Sequence, residues 1–227
     1  MDRTIENALD DISLIKAVIV RTQKDFAKVA KFFICIGVVN GIAWIIEETA
    51  YFIRSFVGDG SWIVQFLGQG YRLLRFVGYI SLFIIYYKKI KATNNDISEG
   101  MIKIWGMVLI GSYVLSFLYI RLLPIGNDDR LIALWRCREL IEVLPVIFAL
   151  FMTGILTKRI IITACTSLYS ILYFVLFASM KEITYGNFGG QGGAQMPLSS
   201  ISVKCIMILG MFFLGWYLKI GAKEHGD

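Results

Sequence analysis

Histidine is almost absent from this chain: His225 is the only one among 227 residues. That excludes a His-built metal centre and any triad that needs an imidazole base. Cysteine is sparse too. Cys35, Cys137, Cys165 and Cys205 show neither CxxC nor zinc-type spacing, so they read as small hydrophobes. Charge is thin, at 18% of residues against about 25% in ordinary globular domains. The formal net charge of +6 is strewn over short connections instead of gathered on one face, which argues against a nucleic-acid partner. No phosphate-loop or dinucleotide fingerprint occurs, and no cofactor is expected.

What is present is apolar. The broad hydrophobic count reaches 57%, and mean hydropathy is +0.66. Six apolar segments lie near 32–55, 62–87, 101–122, 132–157, 160–180 and 198–218. Each is long enough for a hydrocarbon core of about 30 Å. The expected fold is all-α: a polytopic transmembrane bundle of about six helices over 32–220, with a short tail at 221–227. Residues 1–31 are polar and hold no cleavable signal peptide. Of the 23 Lys and Arg residues, 14 fall in the N-terminal region, in the second-to-third connection, after the fourth segment and after the sixth. The side with this excess faces the cytoplasm, so both termini are expected there, in the cytoplasmic (inner) membrane.

Residues 4–30 place Ile5, Leu9, Ile12, Ile15, Ile19 and Phe26 at helical spacing, with Lys16, Arg21, Lys24, Lys28 and Lys31 on the polar side. Such a helix suits the inner membrane surface, or docks a protein partner or a second copy of the chain. Asp10-Asp11-Ile12-Ser13-Leu14-Ile15-Lys16 through Phe26, and Lys31-Phe32-Phe33-Ile34 to Gly37, resemble an uncharacterised group of small bacterial polytopic membrane proteins. The likeness covers about the first 45 residues. It implies a bacterial cytoplasmic membrane and brings no known activity.

Charges interrupt the apolar segments at one height. Counted at 1.5 Å per residue from the cytoplasmic ends, Glu47, Glu48, Arg72, Arg75, Arg138, Glu139, Glu142 and Lys204 fall about 18–28 Å up. Arg121 and Arg136 lie slightly higher. Gln65, Gln69 and Arg72 form an i, i+4, i+7 polar stripe; Arg138–Glu142 and Arg136–Glu139 are spaced as helical pairs. A lone charge at the bilayer centre costs at least about 2.5–3.5 kcal/mol, so these groups are expected to face inward and meet. Six basic and four acidic groups leave two positive charges over, an excess that suits a small polar or anionic ligand. Glu47, Glu48, Gln69, Arg72, Arg75, Arg138, Glu139, Glu142 and Lys204 are therefore the candidate ligand-binding residues. The competing reading is a closed structural network that locks the bundle.

Other features are weaker. Asn40 reads as helix–helix glue, and Thr163, Ser167 and Ser170 as a hydroxyl face bonded to backbone or packed closely, with a pore lining as the alternative. Gly210 and Gly215 predict close approach of the last helix. Pro145 predicts a kink in the fourth, and the tryptophans read as interface anchors. The Gly-rich stretch within 181–197 predicts a flexible outer loop or lid. No catalytic constellation stands out. Glu47 to Arg54 superficially resembles the EExxxR motif of glutamate-type membrane proteases, but its arginine is two residues too far and the histidines are missing. The expected activity is that of a permease or transport subunit. The alternative is a sensory or accessory protein whose N-terminal helix docks a partner.

Overall fold

The structure, a computed structural model, describes the backbone of residues 2–58, 60–92, 95–122, 128–179, 182–185 and 194–221. Side chains are described from 26 onward within these, apart from 55, 120–135, 182–185, 194–196 and 221. Nearly all of this backbone is helical. The helices are α1 (Asp2–Val57), α2 (Trp62–Lys91), α3 (Asp96–Leu122), α4 (Asp128–Leu156), α5 (Ile160–Ser179), α6 (Leu198–Cys205) and α7 (Met211–Gly221). A π-helical turn, Ile206–Gly210, joins α6 to α7, and the three make one last span. Strands β1 (Glu182–Tyr185) and β2 (Ala194–Pro197) pair antiparallel between α5 and α6.

Among the described residues, five helical stretches are long and apolar enough to cross a membrane: Phe26–Arg54, Asp96–Tyr119, Arg136–Leu156, Ile160–Ser179 and Leu198–Ile220. The second expected span is as long as its neighbours but does not join them. Gln65, Gln69, Arg72 and Arg75 break the apolar run of α2, which is itself a 30-residue helix. The first segment also departs from expectation. Residues 1–31 do not form a separate helix, because α1 runs 56 residues without interruption, about 84 Å at 1.5 Å per residue. The amphipathic face expected on 4–30 falls largely on side chains outside the described residues, as do Arg121, Trp135, the glycines of 186–193 and the tail beyond 221. Strands at 182–185 and 194–197 pair on either side of the Gly-rich stretch for which the sequence predicts a flexible outer loop or lid; residues 186–193 themselves lie outside the described residues.

Chain ends and turns are set locally. Gly58 closes α1 in the left-handed region (φ 82°), its N–H donating to the Arg54 carbonyl at 3.0 Å. Asn95 caps α3, its side-chain oxygen accepting from the Ser98 N–H at 3.2 Å. Lys158 ends α4 at φ 53°: its own N–H bonds Ile155 O and the Arg159 N–H bonds Gly154 O, a Schellman pattern in which glycine is the usual residue. Gly154 admits Thr163 so closely that an added Cβ would meet its backbone N at 2.9 Å, which draws α5 against α4.

The helices close a ring in sequence order. Each packs on the next, and the π-helical turn and α7 return to α1. At the end holding Lys28, Lys88, Lys158 and Lys219 the ring is plugged by apolar side chains: Val29, Phe32, Phe33, Ile36, Ile90, Met101, Ile102, Trp105 and Leu218. Trp105 is fully buried, edge-on to Phe33 at 5.2 Å between centroids, and donates to Thr153 Oγ1 at 2.8 Å. This tryptophan is a core residue, not the interface anchor the sequence suggests. Gly215 lets α7 reach α1, where a Cβ would stand 2.6 Å from the Ala30 carbonyl. Gly210 does not work that way; its Cβ would meet Ile206 of its own turn. Outward-facing Ile45, Phe66, Phe148, Leu168 and Phe213 are exposed, an apolar belt suited to lipid.

Candidate functional site

At the opposite end the ring opens into a cavity of about 620 Å³. Its walls are helical stripes, because residues three, four and seven apart share a face. From α1 come Asn40, Trp44, Glu47 and Tyr51; from α2, Tyr71, Arg72, Arg75 and Tyr79. α3 adds Leu109, Ser112, Tyr113, Ser116 and Phe117. α4 adds Arg136, Arg138, Glu139, Glu142, Val143 and Val146, and the last span adds Ser200, Lys204 and Met207. Pro145 sits within this stretch of α4 and lacks the N–H that the Ile141 carbonyl would otherwise accept.

Of the nine candidate residues, Glu47, Arg72, Arg75, Arg138, Glu139, Glu142 and Lys204 line this cavity. Glu48 stands behind the wall but touches it: Lys204 Nζ lies 3.0 Å from Glu47 Oε2 and 3.4 Å from Glu48 Oε1. Trp44 Nε1 donates to the same Glu48 oxygen at 2.7 Å. Gln65 and Gln69 are exposed and do not line this cavity, so of the expected stripe only Arg72 reaches the site.

A second knot joins α3 and α4. Arg138 Nε donates to Ser116 Oγ at 2.8 Å and to Glu142 Oε1 at 3.1 Å, and Ser116 donates to Glu142 at 2.6 Å. The expected Arg136–Glu139 pair does not form. Arg136 donates instead to the Phe177 carbonyl at 2.9 Å, and its guanidinium lies over the Phe177 ring. Glu139 accepts hydroxyls from Ser200 at 3.0 Å and Tyr173 at 3.3 Å, tying α4 to α6 and α5. Asn40 is glue: it donates to Ile36 O and accepts from Tyr79 at 2.6 Å, joining α1 to α2 at the cavity floor. The α5 hydroxyls of Thr166, Ser167 and Ser170 bond carbonyls of their own helix.

Two arginines are left over. Arg72 donates to Tyr71 OH at 3.1 Å, and both Arg72 and Arg75 lie within 6 Å of the Tyr71 ring centroid, at 5.7 and 5.9 Å. Neither has a carboxylate within 4 Å among the described residues. Arg75 Nε and Ser112 Oγ are buried without any hydrogen-bond partner. With Glu48 included, five cations face four carboxylates among the described residues, an excess of one positive charge; Arg121, the sixth cation of the expected layer, lies outside the described side chains.

Sequence reasoning missed the α3 wall and the tyrosines. Ser112 and Ser116, one turn apart, were legible as a polar stripe on the third segment. Serines inside apolar helices, however, usually bond their own backbone and carry little weight. Tyr51, Tyr71, Tyr79 and Tyr113 stand in apolar segments and carry no charge that would single them out.

Compared with protein-family models, with curated proteins and with solved structures, the chain matches none. Fold and site alone define its class: a helical, multi-pass membrane protein whose ring of helices is dry at one end and holds a charged, tyrosine-rich cavity at the other.

Proposed function

We propose that this chain is a six-span protein of a bacterial cytoplasmic membrane, with both ends in the cytoplasm, that recognises a small polar or anionic species in its outward-facing cavity as a permease or transport subunit. One observation carries the reading. Arg72 and Arg75 face a cavity without carboxylate partners, while the nearby Lys204 and Arg138 are each ion-paired. A purely structural network is stable when its members satisfy one another, and intramembrane charges left unsatisfied are expensive. The basic residues at the plugged end, Lys28, Lys31, Lys88, Lys89, Lys91, Lys158 and Lys219, support the orientation. Purified protein in liposomes tests the reading. Uptake of an anion panel should occur with the native chain and vanish with Arg72→Ala at unchanged melting temperature; no flux of any solute by the native chain refutes transport.

One feature favours a second reading, that of a sensor. The same uninterrupted helix that carries Glu47 in the cavity continues to Asp2, about 36 Å beyond the first span at Phe26. Under that reading the protein moves nothing. Deleting residues 1–28 then removes a partner while ligand still binds.

A further inference from the structure

The two orphan donors say more about what the cavity takes. Ser112 on α3 is only 8% exposed, its Oγ has no partner, and it lines the cavity. Arg75 on the neighbouring α2 presents a buried Nε that is likewise unpartnered. The two helices are locked side by side here: Tyr113 donates to the Arg72 carbonyl at 3.0 Å and stacks on Phe76 at 5.1 Å. Leaving a buried donor unmade is costly, and two of them on adjacent walls of one cavity mark a place for an oxygen acceptor. Arg72 stands one turn of α2 away, at Tyr71, and completes a basic wall.

Charge and surface set the class of that acceptor. Among the described residues, five cations against four carboxylates leave a single positive charge for the ligand to neutralise. A doubly charged anion overshoots, and a cation is repelled. Around the polar wall the surface is aromatic and aliphatic, with Tyr71, Tyr113, Phe117 and Val143 facing the cavity, so an apolar body fits beside the charged group. Resting on the reading of this cavity as a binding site, we infer that its ligand is a singly charged oxyanion attached to an apolar body. The oxyanion is held by Arg75 and Ser112, with Arg72 beside them. Two sources share that chemistry: a soluble monocarboxylate and the phosphodiester of a membrane lipid.

The test uses the full chain in neutral detergent at constant ionic strength, with melting temperature and fluorescence titration as readouts. The probes are 3-phenylpropanoate, phosphatidylglycerol, succinate, inorganic phosphate and phenethylamine. Stabilisation by 3-phenylpropanoate or by phosphatidylglycerol is expected, and whichever binds names the source. Ser112→Ala should weaken that binding at least about tenfold. It should not lower the melting temperature of the free protein, because an orphan hydroxyl contributes nothing to the empty fold. Arg75→Lys, which keeps the charge but loses the planar fork, should weaken binding by a similar factor, and Lys219→Gln at the far end should not. Preference for succinate or inorganic phosphate over both monoanions overturns the ligand class while leaving anion recognition in place. Stabilisation by phenethylamine alone overturns it as well. No stabilisation by any probe overturns this inference together with the reading beneath it. Unchanged affinity in Ser112→Ala with a lowered melting temperature assigns Ser112 to the fold and removes it from the site.

Discussion

Lys204 is the group whose removal should be felt most. Its ammonium lies 3.0 Å from Glu47 and 3.4 Å from Glu48, and the side chains of Lys204 and Glu47 are only 17% and 11% exposed. Lys204→Met deletes the cation and strands two adjacent carboxylates, one of them buried. Breaking a buried pair by removing one partner costs about 3–5 kcal/mol, a large share of a fold's usual 5–15 kcal/mol. Glu47→Gln is gentler, because Lys204 keeps Glu48; about 1–2 kcal/mol is expected. Glu48 is 33% exposed and also holds Trp44 Nε1, so Glu48→Gln should cost no more than about 1 kcal/mol. The double variant Glu47→Gln/Lys204→Met removes both charges and should recover about 2–3 kcal/mol relative to additivity. Equilibrium unfolding in mixed dodecylmaltoside–SDS micelles, followed by circular dichroism, measures all four. Additive losses, or a Lys204→Met variant no less stable than Glu47→Gln, would refute the claim that these spans are held together by a desolvated ion pair.

Three further outcomes follow from local geometry. Lys158 adopts φ 53° in a position that favours glycine, so Lys158→Gly should raise stability by about 1 kcal/mol in the same assay. Gly215→Ala should lower it by about 1–3 kcal/mol, since the new Cβ meets the Ala30 carbonyl; Gly111→Ala, with open space around it, should be neutral or slightly stabilising. In a background with the four native cysteines replaced, Gly60→Cys should react with an impermeant thiol reagent on intact spheroplasts and Ala92→Cys only after permeabilisation; the reverse pattern inverts the topology.

The charged layer was legible because charge in an apolar run is rare and therefore informative. Helical rise alone put Glu47, Arg75, Glu142 and Lys204 at one height, and they meet in one cavity. Partner choice was not legible. The spacing of Arg136 and Glu139 suggested an ion pair, yet a backbone carbonyl on α5 and hydroxyls on α5 and α6 take them instead. Those partners are 34–61 residues distant in sequence and known only once α4, α5 and α6 are packed. Gln69 stays outside the cavity for a related reason: a polar stripe fixes a face of α2, but not which of its members the neighbouring helices enclose, and only Arg72 is enclosed. Trp105 sits near a segment end, as interface anchors do, and only its bond to Thr153 and its contact with Phe33 place it in the core.

The plug beneath the cavity separates the two functional readings. Asn40 and Tyr79 hydrogen-bond at the cavity floor, and below them Ile36, Phe33, Phe32 and Val29 extend about 10 Å along α1, packed against Trp105 and Met211. No polar ligand crosses such a layer while it is closed. A permease must therefore visit a state in which the floor opens and the cavity faces the basic end; a sensor need never do so. Tyr113→Cys, on the cavity wall of α3, reports the difference in proteoliposomes of defined orientation. Under the permease reading, an impermeant thiol reagent confined to the basic side labels this cysteine slowly, and a transported anion speeds the reaction. Labelling only from the cavity side, with or without ligand, shows that the floor stays shut. In that case signals leave the cavity through α1 instead, because Glu47 and the segment before Phe26 belong to one helix.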